Sequence, residues 1–345
     1  MRVLSYEKLL QENKKTILVD VRTPNEYFED HIPTAVNIPL FSNEEHAMVG
    51  TLYKQVTVKE AKVKGLEFVA SKLTNLYNDF LSLWEENQGY QIVVYCARGG
   101  MRSTSIGQLL STLGMNIIKI DGGYKKYRQY VRENLDNELN KVKFCTLYGK
   151  TGCSKTKILQ YLEEKGYDTL NLEGFANHRG SLLGHIGLDE QYTQKKFESL
   201  LFYKLLNRKS DLLYTEGESK RIGKVILPEL LYHKLITESQ IEIISPIKTR
   251  VKEIKEEYIN EKFSSEDVLA SLDRMKTYMS NKNYELFVSL LEEKKYDELI
   301  EELMVSYYDN VYNDKHNHII GEVVFDGDFE RTIKNIFELS NNIIN

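Results

Sequence analysis

The chain has 345 residues, 41% hydrophobic and 28% charged, with a net charge of −5. That length is comfortable for two domains, and no run of about 18 apolar residues offers a membrane span. The acidic balance excludes indiscriminate nucleic-acid binding over the whole surface, but not a local cluster of Lys and Arg that reads phosphates.

Three cysteines, Cys96, Cys145 and Cys153, are too few for a disulfide framework. The opening MRVLSYEKLL lacks the apolar core of a secretion signal. A reducing cytoplasm is the expected setting, and there a thiol stays reactive.

In chain order, TILVDV (16–21) predicts a buried parallel strand and TAVNIPL (34–40) a weaker one. Residues 58–87 carry a helical pattern with Leu66, Val69, Leu73, Leu76 and Phe80 near one face. QIVVYC (91–96) is the clearest strand. Ile106, Leu109, Leu110 and Leu113 then follow helical spacing up to Gly114, NIIKID (116–121) is the next strand, and 124–142 a charged helix. A second unit opens with strand KFCTLYG (143–149), a helix over 154–166 and strand DTLNLE (168–173). SDLLYTEGES (210–219) and IEIIS (241–245) continue its sheet, and IIGEVVFD (319–326) precedes a closing helix. The fold class expected is α/β: a parallel-sheet domain over 1–135, then a second α/β domain over 136–345 with a helical portion at about 250–310.

Two loops carry chemistry. YCARGGMRS (95–103) places Cys96 where a strand ends and a turn leads into a helix. A thiolate is the nucleophile, so a reactive cysteine needs positive surroundings. Backbone N–H groups of the turn and the helix dipole supply them, Gly99 and Gly100 let the backbone curl, and Arg98 and Arg102 add charge. Met101 and Ser103 complete the expected oxyanion cradle, Ser103 suiting a helix start. The competing reading is a buried core thiol.

GKTGCSKT (149–156) has the phosphate-loop layout between a strand and a helix. Gly149, Gly152, Lys155 and Thr156 are in place, and Thr156 is suited to Mg2+. Ser154 stands where a glycine is usual, and its Cβ narrows the allowed geometry. A carboxylate should follow an apolar strand, and Glu216 or Glu218 offers one, with Lys220 and Arg221 close behind. NLEGFANHRGSLLG (171–184) gathers Glu173, Asn177, His178 and Arg179 as candidate substrate contacts. Tyr124, Lys125, Lys126 and Arg128 alternate aromatic and basic character, which suits RNA as well as it suits an amphipathic connecting helix. His316 and His318 lack a third ligand nearby, so no metal site is expected there.

LVDVRTPNEYFEDHIPTAVNIP (18–39) together with the Cys96 loop resembles the rhodanese superfamily over roughly the first 130 residues. By that resemblance Asp20 and Arg22 form a structural pair. Cys96 to Arg102 is six positions, one longer than in sulfur-transferring members, and a wider ring of N–H donors suits a tetrahedral phosphate-like group. With the phosphate loop, EEHAMVGTLYKQ (44–55), LEGFANHRGSLLG (172–184) and EGESKRIGKVILP (216–228), the chain looks like a member of the bacterial tRNA 2-selenouridine synthases. The resemblance implies a tRNA with 2-thiouridine at the anticodon wobble position as substrate, and selenium from selenophosphate replacing its sulfur. It also implies geranyl transfer from geranyl diphosphate to that sulfur, with Cys96 as the essential cysteine and Gly149, Lys155 and Thr156 on the diphosphate. The alternatives are a rhodanese-fold phosphatase or sulfurtransferase with a regulatory nucleotide site, and a non-catalytic anion sensor.

Overall fold

β-branched runs become strands and Ser, Thr or Asn caps start many of the helices. The computed structural model describes residues 1–311 and 318–344, so His316 lies outside the described residues. The chain divides into two units, Met1–Leu135 with Glu198–Leu200, and Asp136–Phe197 with Leu201–Asn345.

In the first unit the strands are β1 (Arg2–Leu4), β2 (Thr16–Asp20), β3 (Val36–Asn37), β4 (Gln91–Tyr95) and β5 (Ile117–Ile120). They form one sheet in the order β1-β5-β4-β2-β3, every neighbouring pair parallel. β4 is buried along its whole length, as a strand inside a sheet covered on both faces must be. Val19, Val94, Ile106, Leu110 and Phe80 meet in its core. β3 is much shorter than the predicted 34–40, because Pro33 and Pro39 bracket it and proline has no N–H for a ladder. Helix Val58–Glu86 matches its pattern, but Leu66 is 70% exposed. Gly65 is the residue that turns inward there, since a Cβ built on it would lie 3.4 Å from Phe41 Cζ.

The second unit holds β6 (Lys143–Tyr148), β7 (Thr169–Leu170), β8 (Leu212–Glu216), the two-stranded ribbon β9 (Arg221–Ile222) and β10 (Val225–Ile226), β11 (Ser239–Ile244) and β12 (Ile319–Val324). Its main sheet runs β12-β11-β6-β8-β7, all parallel, with β6 at the centre. Parallel sheets open their ligand crevices at the carboxyl ends of central strands, and the phosphate loop leaves β6 at that end. The predicted strand 168–173 is cut to two residues. Asn171 caps a short helix, Leu172–Ala176, by accepting from the Gly174 N–H at 2.6 Å, and so moves Glu173 from a strand to a helical turn. Helices Ile247–Tyr258, Ser265–Met275, Asn281–Glu292 and Tyr296–Leu303 make the helical portion, around a core of Leu272, Phe287, Leu299 and Leu303. Among the described residues no helix is long and apolar enough to cross a membrane.

Candidate functional site

Cys96 follows β4 directly and is 3% exposed. Four residues of bend lead to helix Met101–Thr112, whose N-cap, Gly100, has no side chain to offer. The first-turn N–H donors of that helix therefore face the loop uncapped, where an anion is favoured by the dipole. The Ser103 hydroxyl donates to Cys96 Sγ at 3.2 Å. Gly99 sits at φ +63, and a Cβ there would lie 2.9 Å from the Gly122 nitrogen. Gly123, at φ +58, is tighter still: its Cβ would be 2.1 Å from the Cys96 carbonyl. The start of helix Gly123–Asn140 thus packs backbone to backbone under the loop, with Tyr124 N–H donating to Cys96 O and Lys125 N–H to Ala97 O, both at 2.9 Å. The glycine pair was visible in the sequence as DGGY, but its partner was not.

Arg98 and Met101 are exposed at the rim. Arg102, expected to grip an oxyanion, is held by Glu26 through two hydrogen bonds of 2.5 and 3.1 Å. Glu26 is the third residue of the helix capped by Thr23, so one carboxylate serves a capping box and an ion pair. Burial pushes the Glu26 carboxyl up, but the Arg102 guanidinium outweighs it and holds it at about 2. Lys119 on β5, which sequence reasoning passed over, donates to Gly99 O at 3.1 Å and to Thr104 at 3.0 Å. Asp20 and Arg22 form a buried pair at 2.6 Å, with Arg22 3.9 Å over the Tyr124 ring.

In the second unit Gly149 (φ +147) and Gly152 (φ +82) both need glycine: a Cβ would lie 2.3 Å from Ile243 O at the first and 2.8 Å from Ile254 Cδ1 at the second. Ser154 occupies the left-handed region, φ 60 and ψ 25, in which an L-residue costs roughly 1–2 kcal/mol. The fault seen in the motif is therefore real strain at the glycine position. Its hydroxyl is buried without a partner. Lys155 donates to Gly149 O at 2.7 Å, folded back over the loop, and the Thr156 hydroxyl donates to Glu173 at 3.1 Å.

Three carboxyls gather beside that lysine. Glu216, at the end of β8 and fully buried, accepts from the Glu173 N–H at 2.8 Å, while its other oxygen has no partner. Burial, then the neighbouring Glu173 charge, pushes Glu216 up to about 8. Burial also raises Glu173, to about 6, against the pull of Lys155. Glu218 is raised by burial and by both neighbours. Gly180 makes room for them, since a Cβ there would lie 2.7 Å from Glu218 Oε2. Among the described residues no three His, Cys, Asp or Glu side chains are arranged to hold a metal directly. Magnesium keeps several waters and asks for only one or two carboxylates plus phosphate, so the Thr156 hydroxyl with Glu173 and Glu216 remains a fitting donor set.

The other candidates divide into struts and surface. Arg179 is a strut: it donates to Glu257 Oε1 at 2.7 Å and to Ile186 O at 2.6 Å. Asn177 caps the short helix in the left-handed region and donates to the Asp189 and Glu190 carbonyls. His178 is 8% exposed, and burial, then His185, lowers it to about 4, so it stays neutral. Arg128 is buried against Asp30 at 3.8 Å, which takes it off the surface an RNA would touch, and the half-buried Tyr124 donates to Asp30 at 2.7 Å. Lys125, Lys126, Lys220 and Arg221 are exposed, Lys126 paired with Asp121 and Lys220 with Glu229. Cys145 and Cys153 are core thiols, both pushed up by burial.

The fold and these loops define a class: a rhodanese-like domain carrying a loop cysteine, followed by a P-loop-type α/β domain with a helical C-terminal portion. The rhodanese-like family model matches residues 4–130, and the model of the tRNA 2-selenouridine synthase AAA domain matches residues 142–342. The tRNA 2-selenouridine synthase of Nitrosomonas europaea is 35% identical over 250 residues, covering 71% of this chain and 64% of that protein. That of Nitrosomonas eutropha is 35% identical, covering 71% and 63%, and that of a Sulfurovum species 29% identical, covering 90% and 92%. The chain belongs to the tRNA 2-selenouridine synthase family. The matched region spans a little under two thirds of the length of the two Nitrosomonas relatives.

Proposed function

We propose that the protein acts in the cytoplasm on a tRNA whose anticodon wobble base is 2-thiouridine, replacing its sulfur with selenium from selenophosphate. Geranyl transfer from geranyl diphosphate to the same sulfur belongs to this reading. What supports it is that the chain matches the synthase domain over 142–342 and that, upstream of that match, Cys96 precedes a helix start with no side-chain cap. The tetrahedral phosphate group of selenophosphate would lie on the uncapped N–H donors after Gly100, with Cys96 Sγ, held by the Ser103 hydroxyl, beside the selenium. Arg98 at the rim adds charge; Arg102 holds the loop through Glu26 and reaches the anion only by sharing that partner.

The diphosphate would lie on 149–156. Lys155 exchanges the Gly149 carbonyl for phosphate oxygens, and the unpartnered Ser154 hydroxyl gains an acceptor. Thr156, Glu173 and Glu216 would hold Mg2+, which would neutralise charge on the diphosphate. An unpaired anticodon base is the kind of RNA target that proteins read, and the exposed Lys125, Lys126, Lys220 and Arg221 are basic groups available to its phosphates.

The test is mass spectrometry of wobble nucleosides from cells lacking the gene and complemented with the wild-type chain or Cys96→Ser. Wild type restores 2-selenouridine and Cys96→Ser does not. Normal 2-selenouridine in the variant removes Cys96 from the mechanism.

A further inference from the structure

No motif in the helical portion at about 250–310 announces a role, yet two of its residues grip the phosphate loop. Arg250, in helix Ile247–Tyr258, is 4% exposed and donates through Nε to the Thr151 carbonyl at 2.8 Å. Its other two nitrogens are taken by Asp309, at 3.0 and 2.6 Å. Asp309 stands just after the π-helical turn Met304–Tyr308 and also accepts from Lys150 at 3.1 Å. Two consecutive loop residues are therefore held by one ion cluster, Lys150 by its side chain and Thr151 by its backbone. Ile254, one turn on from Arg250, closes the same side: a Cβ on Gly152 would meet its Cδ1 at 2.8 Å and the Arg250 carbonyl at 3.1 Å. The peptide between Thr151 and Gly152 is planar and trans, so its N–H points opposite to its C=O. With the carbonyl drawn onto Arg250 behind the loop, the Gly152 N–H is turned to the other side, and among the described residues no backbone carbonyl accepts from it.

We propose that Arg250 is a positioning residue for the diphosphate: by holding the Thr151 carbonyl it aims the Gly152 N–H at a phosphate oxygen, and Asp309 fixes Arg250 for that task. The proposal rests on the reading of 149–156 as a diphosphate site and deepens it. The surroundings make the guanidinium necessary. Ile254, Tyr258 and Leu299 line, with Thr151, a small apolar cavity of about 70 Å3 on this side of the loop. A carbonyl left among such groups without a donor is costly, so a loop that lost Arg250 would gain by rotating the peptide and taking its N–H out of the phosphate site. Gly152, at φ +82, has the backbone freedom for that rotation. The charge of Arg250 is matched by Asp309, so its effect on the anion passes through the peptide. The helical portion thereby has a task, keeping the phosphate loop in the shape that receives the anion.

Calorimetric titration of the full chain with inorganic diphosphate, for the wild type, Arg250→Met and Arg250→Lys, tests this, with urea midpoints measured alongside. Arg250→Met is expected to weaken inorganic diphosphate at least about tenfold in the folded protein, the worth of one N–H bond to a charged oxygen. Arg250→Lys keeps a donor for the Thr151 carbonyl and is expected to bind within about threefold of the wild type. A residue with only a structural role would lower the urea midpoint and leave the affinity of the folded protein unchanged. Wild-type affinity in folded Arg250→Met, or an Arg250→Lys as weak as Arg250→Met, overturns the proposal. If Arg250→Met does not fold, Asp309→Asn carries the test, because it leaves Arg250 in place without its ionic anchor. Binding at least about threefold weaker is then expected, and unchanged affinity overturns the proposal. Failure of the wild type to bind inorganic diphosphate overturns the loop reading, and the positioning role falls with it.

Discussion

Glu216 shows how one buried residue ties the stability of the fold to pH. Its carboxyl sits at about 8 in the folded chain, raised first by burial and then by Glu173, whereas an unfolded glutamate titrates at about 4.3. Between those values the folded protein keeps a proton that the unfolded chain has lost. The stability linked to that proton is therefore fully present below about 4.3 and is lost as pH rises through about 8. Wild-type stability should fall on the order of 1 kcal/mol per pH unit across that window, and Glu216→Gln should flatten the slope. Urea midpoints at pH 5, 6.5 and 8 check this; parallel slopes for the two proteins would show that Glu216 does not hold the proton. Residue identity pointed at Glu216 and at the odd Ser154. Burial of the first and the left-handed backbone of the second depend on β8 and on the turn into helix Lys155–Glu164, and no neighbour in sequence reveals either.

Among the elements, the helical portion and the phosphate loop are joined by one ion cluster. Asp309 follows the π-helical turn Met304–Tyr308 and accepts from Arg250 at 2.6 and 3.0 Å and from Lys150 at 3.1 Å. Arg250 is 4% exposed and also holds the Thr151 carbonyl, so Asp309 fixes the loop through a buried guanidinium. Removing one partner of a buried pair leaves the other charge uncompensated. Asp309→Ala should cost about 3 kcal/mol in urea unfolding, and a loss below about 1 kcal/mol would mean that Arg250 finds another partner. The elements themselves were mostly legible, because period-2 and period-3.6 patterns report burial on sheets and helices. The exceptions have local causes. Two prolines trimmed β3, Asn171 turned the end of a strand into a helix, and Leu66 lay on the helix face that Gly65 does not bury.

At the scale of the whole molecule, the two loops proposed to bind anions lie in different units, so the two proposed steps should fail separately. Cys96→Ser should leave S-geranyl-2-thiouridine in the wobble nucleosides, whereas Lys155→Ala should leave 2-thiouridine itself; the same product in both variants would contradict a division of labour between the loops. The sequence by itself determined the α/β class, the two loops and the family likeness, because strand–loop–helix motifs are written in consecutive residues and their glycines are demanded by local backbone geometry. Only the tertiary structure decided that Arg102 is held by Glu26, that Lys119 and Gly123 brace the cysteine loop, that Arg128 is buried and that an apolar cavity opens beside the phosphate loop. Those pairings join distant residues, Glu26 and Arg102 lying 76 positions apart. Packing sets which distant side chains share a low-dielectric space, and no local pattern encodes that choice.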